Sequence, residues 1–274
     1  MESEWNRVSP KNPCKICGKP DWCLLSSDKT AAICPRTTSD KYIDGSGYLH
    51  ILDKNRNALQ FRKTRTQASR TQLPEHNGVM ELLMRGYVKE ATDRFVMDAS
   101  KTFRVAPKTL RDMEIGWSVT KNAVAFPMKR LGNRLLGIRF RTPRGSKFAA
   151  KGSKQGLFIP NTFHRKQGIV VCEGPTDTAS MLDLGFNAIG RPSCNSGSML
   201  IAELAKDMPV AILVDNDSAG KDGASKLSDH LKRNRPKLSR EKVRLVECGG
   251  YKDAREWKDS GATREEILKE IRKT

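Results

Sequence analysis

At 274 residues and 30.7 kDa the chain can hold two domains and a sizeable core, with room for a small extra module. Lysine and arginine number 50 against 31 acidic residues, a net charge of +19, and this surplus points to a polyanionic partner, nucleic acid first. No apolar run approaches the roughly 18 residues of a membrane span, and Met1-Glu2-Ser3-Glu4-Trp5 lacks the basic and apolar regions of a signal peptide, so a soluble, cytoplasmic protein is expected.

In that reducing setting seven cysteines are not a disulfide framework. Four of them, Cys14, Cys17, Cys23 and Cys34, crowd into 21 residues. Cys14-Lys15-Ile16-Cys17-Gly18 is a Cys-x2-Cys knuckle whose glycine allows the tight turn that aims two thiolates at one metal. Trp22–Ser26 and Ala31–Cys34 read as two short strands, and a hairpin centred between Asp28 and Lys29 sets Cys23 opposite Cys34 on one face. Residues 1–53 are therefore expected to form a small β-rich, zinc-ribbon-like module with a structural Zn2+ on the four cysteines. His50 stands as the alternative to Cys23. Trp22, Tyr42 and Tyr48 either stack on single-stranded bases, with Lys15, Lys19, Lys29, Arg36 and Lys41 near the phosphates, or pack around the zinc.

Residues 54–76 carry Lys54, Arg56, Arg62, Lys63, Arg65 and Arg70 with little that could form a core, the composition of a flexible basic tether. From 77 to 166 the pattern is α+β. Val79–Met84 and Ala91–Met97 look helical, and a third helix starts at Ala106-Pro107 and stops by Gly116. Strand-like Ala123–Met128 and Leu135–Thr142 flank the turn Leu131-Gly132-Asn133. In the second strand Ile138 and Phe140 alternate with Arg139 and Arg141, so one face is apolar and the other offers two guanidinium groups, with Lys147 close behind. Such a basic open face suits a phosphate backbone or a nucleotide triphosphate.

Residues 167–274 form an α/β segment closed by a C-terminal helix. Ile169–Gly174 and Val210–Asp217 are apolar, β-branched-rich runs that end abruptly in acid, each followed by a helix-like stretch, Thr176–Leu184 and Ala219–Leu231. Strand, helix, strand, helix implies a parallel sheet whose ligands sit beyond the carboxyl ends of the strands. Glu173, Asp215 and Asp217 then share one rim, and three clustered carboxylates call for a divalent cation, Mg2+ or Mn2+. Cys172 lies on an apolar strand and behaves as a small hydrophobe.

In this order of parts the chain resembles the bacterial-type DNA primases, of the DnaG and phage primase-helicase kind. Val171-Cys172-Glu173-Gly174-Pro175-Thr176-Asp177 resembles the first motif of the TOPRIM fold, and Asp215-Asn216-Asp217-Ser218-Ala219-Gly220 its Asp-x-Asp motif. Pro107–Trp117, Val124–Pro127 and Leu136–Arg139 resemble the first half of the primase core, followed by Lys147-Phe148 and Gly156-Leu157-Phe158. The zinc spacing differs from the usual primase pattern, and Lys252-Asp253-Ala254-Arg255-Glu256 keeps only the first aspartate of the family's Lys-Asp-Pro-Asp-Glu.

The resemblance implies RNA primer synthesis on single-stranded DNA from ribonucleoside triphosphates, in replication beside a separate helicase. It also implies catalysis by Glu173, Asp215 and Asp217, with Asp177 and Asp253 as further Mg2+ or Mn2+ ligands. Arg139, Arg141 and Lys147 are the candidates for nucleotide or template contact. A compact chain without a helicase or helicase-docking domain points to a phage or other mobile element. A TOPRIM-type metal-dependent nuclease uses the same carboxylates to admit water, and a zinc-anchored single-strand binder uses none of them.

Overall fold

The structure, a computed structural model, describes residues 5–37, 39, 41–43, 46–53, 78–234 and 242–273. The expected basic tether, 54–76, lies outside the described residues. The chain divides into two compact units, Met1–Gln72 and Leu73–Thr274. Among the described residues no helix is long and apolar enough to cross a membrane.

The first unit is a five-stranded antiparallel sheet in the order β1-β2-β3-β5-β4, from β1 (Trp5–Arg7), β2 (Leu24–Ser26), β3 (Ala31–Cys34), β4 (Tyr42–Ile43) and β5 (Gly47–Ile51). Leu24 pairs with Ile33 and Leu25 with Ala32, the register expected from the sequence. Asp28 fixes the turn, since its Oδ1 accepts from the Ser26 and Thr30 hydroxyls and from the Thr30 N–H. Apolar material is scarce here. Ala31, Ile33 and Leu49 form one small core, and Val8 with Cys14, Cys23 and Cys34 forms the other.

The second unit opens with α1 (Gly78–Glu90), α2 (Asp93–Phe103) and α3 (Pro107–Asp112). These helices cover an antiparallel sheet, β6 (Gly116–Ser118), β7 (Ala123–Arg130), β8 (Arg134–Arg141) and β9 (Lys147–Ala149), in that order. Alternation along β7 divides the core. Val124, Phe126 and Met128 pack with α2 and α3 residues such as Phe103 and Leu110, whereas Ala123 and Ala125 meet Met80 and Met84 of α1. Both faces of the sheet are therefore covered. The guanidinium face expected to lie open at Arg139 and Arg141 is half-buried instead, because these residues pair with Phe126 and Val124 on the side that α2 and α3 occupy.

A parallel sheet follows, in the order β11-β10-β12-β13, built from β10 (Ile169–Glu173), β11 (Ala188–Arg191), β12 (Val210–Val214) and β13 (Val243–Glu247). Ile169, Val171, Val210, Ile212 and Val214 face α5 (Ser198–Leu204) and α6 (Ser218–Asn234). Val170, Cys172, Ala211 and Leu213 face α4 (Pro175–Asp183), α7 (Ala254–Asp259) and α8 (Arg264–Lys273). Strands covered on both faces are why the sequence shows unbroken apolar runs there. Leu157 and Phe158 stitch the two sheets together, bridging Lys129 of β7 and Gly190 of β11.

Candidate active site

In the first unit the thiols of Cys14, Cys17, Cys23 and Cys34 lie within 4.8 Å of one another. Sγ of Cys23 is 3.6 Å from that of Cys17 and 3.8 Å from that of Cys34. A tetrahedral zinc with Zn–S bonds near 2.3 Å sets its sulfurs about 3.8 Å apart, so the donor set fits a closed four-thiolate metal site. Cys23 belongs to the cluster and His50 does not, its Nε2 lying 3.0 Å from the Thr37 carbonyl. Burial opposes ionisation of Cys17, yet the Lys19 N–H and the neighbouring thiols hold it at about 7, whereas burial and those same neighbours push Cys23 up.

One cation was not legible as part of this site. Arg36 Nη1 lies 3.8 Å from Cys17 Sγ and 3.7 Å from Cys23 Sγ, while Asp21 fixes the guanidinium through its carbonyl at 2.8 Å and its carboxylate at 2.6 Å. Trp22, next to Cys23 in the chain, stands half exposed.

In the second unit the parallel sheet places its acids at a topological switch. The chain leaves β10 for β11 on one side and returns to β12 on the other, so the carboxyl ends of β10 and β12 flank the crevice where such sheets bind ligands. Glu173 ends β10, Asp215 follows β12, and Asp217 starts the turn into α6. Gly174, at φ +89°, turns the chain sharply from β10 into α4. Gly220 lets the first turn of α6 close on Asp215, where a Cβ would stand 2.7 Å from the Asp215 carbonyl oxygen.

Two of the carboxylates also cap helices. Asp217 Oδ1 accepts from the Gly220 N–H at 2.7 Å, and Asp253 Oδ1 from the Glu256 N–H at 2.8 Å, which leaves one oxygen of each for other work. Asp177, buried at the start of α4, accepts from the Arg255 N–H at 3.2 Å. All five sequence-predicted acids, Glu173, Asp177, Asp215, Asp217 and Asp253, thus gather electrostatically at one rim.

Gathering them perturbs them. Burial, then the charges of Asp177, Glu173, Asp253 and Asp217, pushes Asp215 up to about 8. Burial and Asp253 push Asp177 up to about 7, against the Arg255 N–H and guanidinium. Glu173 is raised by burial and Asp217, although Arg191 stands 4.0 Å away, because the desolvation outweighs that long ion pair. In the unfolded chain an aspartate titrates near 3.9. Between that value and the folded pKa values of about 7 and about 8, the folded state binds more protons, so stability falls as pH rises through this window. Without added divalent cation, the thermal midpoint is expected to drop from about pH 5 to about pH 8.5, and Mg2+ to restore it chiefly at the upper end. A flat profile, or equal Mg2+ stabilisation at both ends, would contradict this account.

The predicted basic residues reach the same rim unequally. Lys147, exposed at the start of β9, lies close enough to lower the proton affinity of Glu173 and Asp177. Arg141 Nη1 donates to Thr176 Oγ1 at 2.9 Å, and its guanidinium lies 5.6 Å from the Phe103 ring. Arg139 is half-buried on the same face of β8, and no charged partner accounts for its lowered pKa, only burial.

Arg191 was missed from sequence. It is 2 % exposed beside Glu173 and donates to the Cys194 and Gly223 carbonyls at 2.5 and 3.1 Å. A charge ending a short apolar run, Ala188-Ile189-Gly190-Arg191, was the available signal.

Fold and rim together define a class: a doubly wound α/β domain with carboxylates at its switch point, joined to an antiparallel α+β subdomain, in a chain that begins with a four-cysteine module. Residues 170–257 match the family model described as Toprim-like, and the chain contains such a domain. No curated protein matches the chain. Among solved structures the E. coli primase catalytic core is similar at 14 % identity and a TM-score of 0.56, covering 71 % of this chain and 79 % of that one. The zinc-binding and RNA polymerase domains of the Aquifex aeolicus primase are similar at 16 % identity and a TM-score of 0.55, covering 98 % of this chain and 78 % of that one. A DnaG primase catalytic domain bound to single-stranded DNA is similar at 14 % identity and 0.53, covering 71 % and 77 %. The fold is that of DnaG-type primase catalytic cores.

Proposed function

We propose that this chain is a DNA primase that makes short RNA primers on single-stranded DNA at the rim of Glu173, Asp215 and Asp217. The observation that supports it best is the convergence of five carboxylates at the switch point of a Toprim-like sheet, within a primase-type fold. On this reading residues 1–53 are a zinc module, 54–76 a basic tether, 77–166 the first part of the primase core and 167–274 the TOPRIM domain with its C-terminal helix.

A divalent cation, when bound, polarises the primer 3′ hydroxyl and neutralises the leaving pyrophosphate. Oxygen-only ligands suit Mg2+ or Mn2+. Asp215 and the free oxygen of Asp217 would hold it directly, with Asp177 and Asp253 as outer or second-metal ligands. Glu173, whose proton affinity is raised by burial, stands at the end of β10 as a ligand or as the acceptor of the hydroxyl proton. Arg191, anchored on two carbonyls, stands 4.0 Å from Glu173 and offsets part of its charge. Lys147, Arg141 and Arg139 supply positive charge for the triphosphate or the template, and single-stranded DNA is the ligand of one similar primase domain. The four cysteines hold zinc as a closed structural site. A separate replicative helicase is the expected partner.

The test is a priming assay on single-stranded templates spanning a panel of initiation triplets, with ribonucleoside triphosphates and Mg2+ or Mn2+. Short oligoribonucleotides are expected on a subset of templates. Cleavage of labelled strands without synthesis would make the chain a nuclease, and binding without either would make it a single-strand binder.

A further inference from the structure

α1 carries two apolar arcs where the fold uses one. Met80, Met84 and Tyr87 point inward, the methionines packing with Ala123 and Ala125 of β7 while Tyr87 meets the Phe140 ring edge-on at 5.5 Å. Val79, Leu82, Leu83 and Gly86 recur at the i, i+3, i+4, i+7 spacing of a second face, an arc of about 100° around the helix. Leu82 is 74 % exposed, Val79 65 % and Leu83 39 %. Single exposed apolar residues are ordinary on a folded protein, but a contiguous helical stripe of them marks a surface that something covers.

Gly86 is an independent observation on the same stripe. Glycine inside a helix weakens it relative to alanine, and the fold does not require one here, since a Cβ at 86 would meet nothing within 4 Å. Gly116 shows the contrast: a Cβ there would stand 2.6 Å from the Tyr87 Cβ, where β6 passes close to α1. A bare patch amid exposed leucines lets a second helix backbone come near. Charge says which helix. Lys89 and Arg85, both exposed, border the stripe on the side of Leu82, and Arg85 reaches Glu81 only at 3.9 Å, a long surface pair of little worth. Glu90, at the end of the arc, is turned to the Val119 N–H. A second copy, related by a two-fold axis, would set this basic edge against itself and bring one chain of net charge +19 onto another.

We propose that the outer face of α1 docks an amphipathic helix of a different protein, one whose apolar stripe is bordered by aspartate or glutamate. Val79, Leu82 and Leu83 anchor it, Gly86 lets the two helices approach closely, and Lys89 and Arg85 meet its acidic edge. None of these residues belongs to the carboxylate rim, so the docking face stands independently of the priming chemistry.

The experiment is fluorescence anisotropy of the full-length protein with labelled helical peptides of about 18 residues, long enough to hold a helix. One has a leucine stripe edged with glutamate, one the same stripe edged with lysine, and one the composition of the first with its spacing scrambled. The glutamate-edged peptide is expected to bind at least about tenfold tighter than the other two. Leu82→Glu, at an exposed position that the fold tolerates, should weaken it about tenfold or more. Gly86→Ala should raise the thermal midpoint of the free protein yet weaken the peptide by about threefold or more, a split that a purely structural glycine would not give. Arg85→Glu with Lys89→Glu should turn the preference toward the lysine-edged peptide. Equal binding of the scrambled peptide would show only a basic chain attracting acid, and would overturn the face, as would unchanged affinity in Leu82→Glu. A dimer in analytical ultracentrifugation that Leu82→Glu abolishes would replace the foreign helix by a second copy and sink the proposal as stated. Every readout is binding, so a chain that fails to prime would leave this face standing and remove only the primase reading.

Discussion

Replacing Asp215 and Asp217 together by asparagine is expected to lower primer synthesis by about a thousandfold or more, the several kcal/mol that metal-assisted charge stabilisation supplies. The loss is chemical, because the fold has reasons to tolerate both changes. Asparagine caps a helix about as well as aspartate, so the bond from the Gly220 N–H to residue 217 can be kept. At position 215 the carboxylate is a burden on the metal-free fold, held up at about 8 by burial and four neighbouring acids. Removing that charge should leave the metal-free variant at least as stable as the wild type near pH 8, as a denaturant titration without divalent cation would show. Binding of single-stranded DNA should be little changed, since the variants remove negative charge. Priming within about tenfold of wild type in a folded double variant would remove this rim from the chemistry.

The acids themselves were legible because their strands are. β10 and β12 are apolar, β-branched runs that terminate in Glu173 and Asp215, and a strand buried on both faces announces itself by composition. Their neighbour β11 is not legible in the same way. Ala188–Arg191 is four residues long and includes Gly190, and its strand character comes from pairing with β10 and from the bridge to Phe158, both distant in sequence. Arg191 was hidden with it. The alternation in β8 correctly separates Ile138 and Phe140 from Arg139 and Arg141, but no local pattern says that α2 and α3 cover the second face. The hairpin register at Cys23 and Cys34 follows from strand geometry alone, whereas the placement of Arg36 over two thiols depends on a loop that only the closed module positions.

Stripping zinc, or replacing Cys23 by serine, is expected to unfold the first unit while leaving the second intact. The reason is the size of the cores. The first unit buries Ala31, Ile33 and Leu49 on one side and Val8, Leu25 and Ala32 beside the cysteines on the other, and three of the four residues in the cluster around Val8 are themselves thiols. A domain this small has too little apolar surface to offset chain entropy, and zinc binding at about 10–16 kcal/mol dwarfs what its cores supply. The second unit carries four separate apolar clusters and needs no such help. Hydrogen exchange resolved by peptide should therefore show protection lost in residues 5–37 and 46–53 and kept in 78–234. Arg36→Ala should fall between the extremes. Its guanidinium offsets part of the negative charge that four thiolates bring to one divalent ion, and it shields Cys17, the least buried of the four. Zinc affinity, measured by competition with a chromogenic chelator, should weaken by about tenfold, and Arg36→Lys should recover less than its charge suggests because a lysine cannot span Asp21 and two sulfurs together. Full protection of residues 5–37 in zinc-free protein would mean that the sheet stands without its metal, and the four cysteines would then need another explanation.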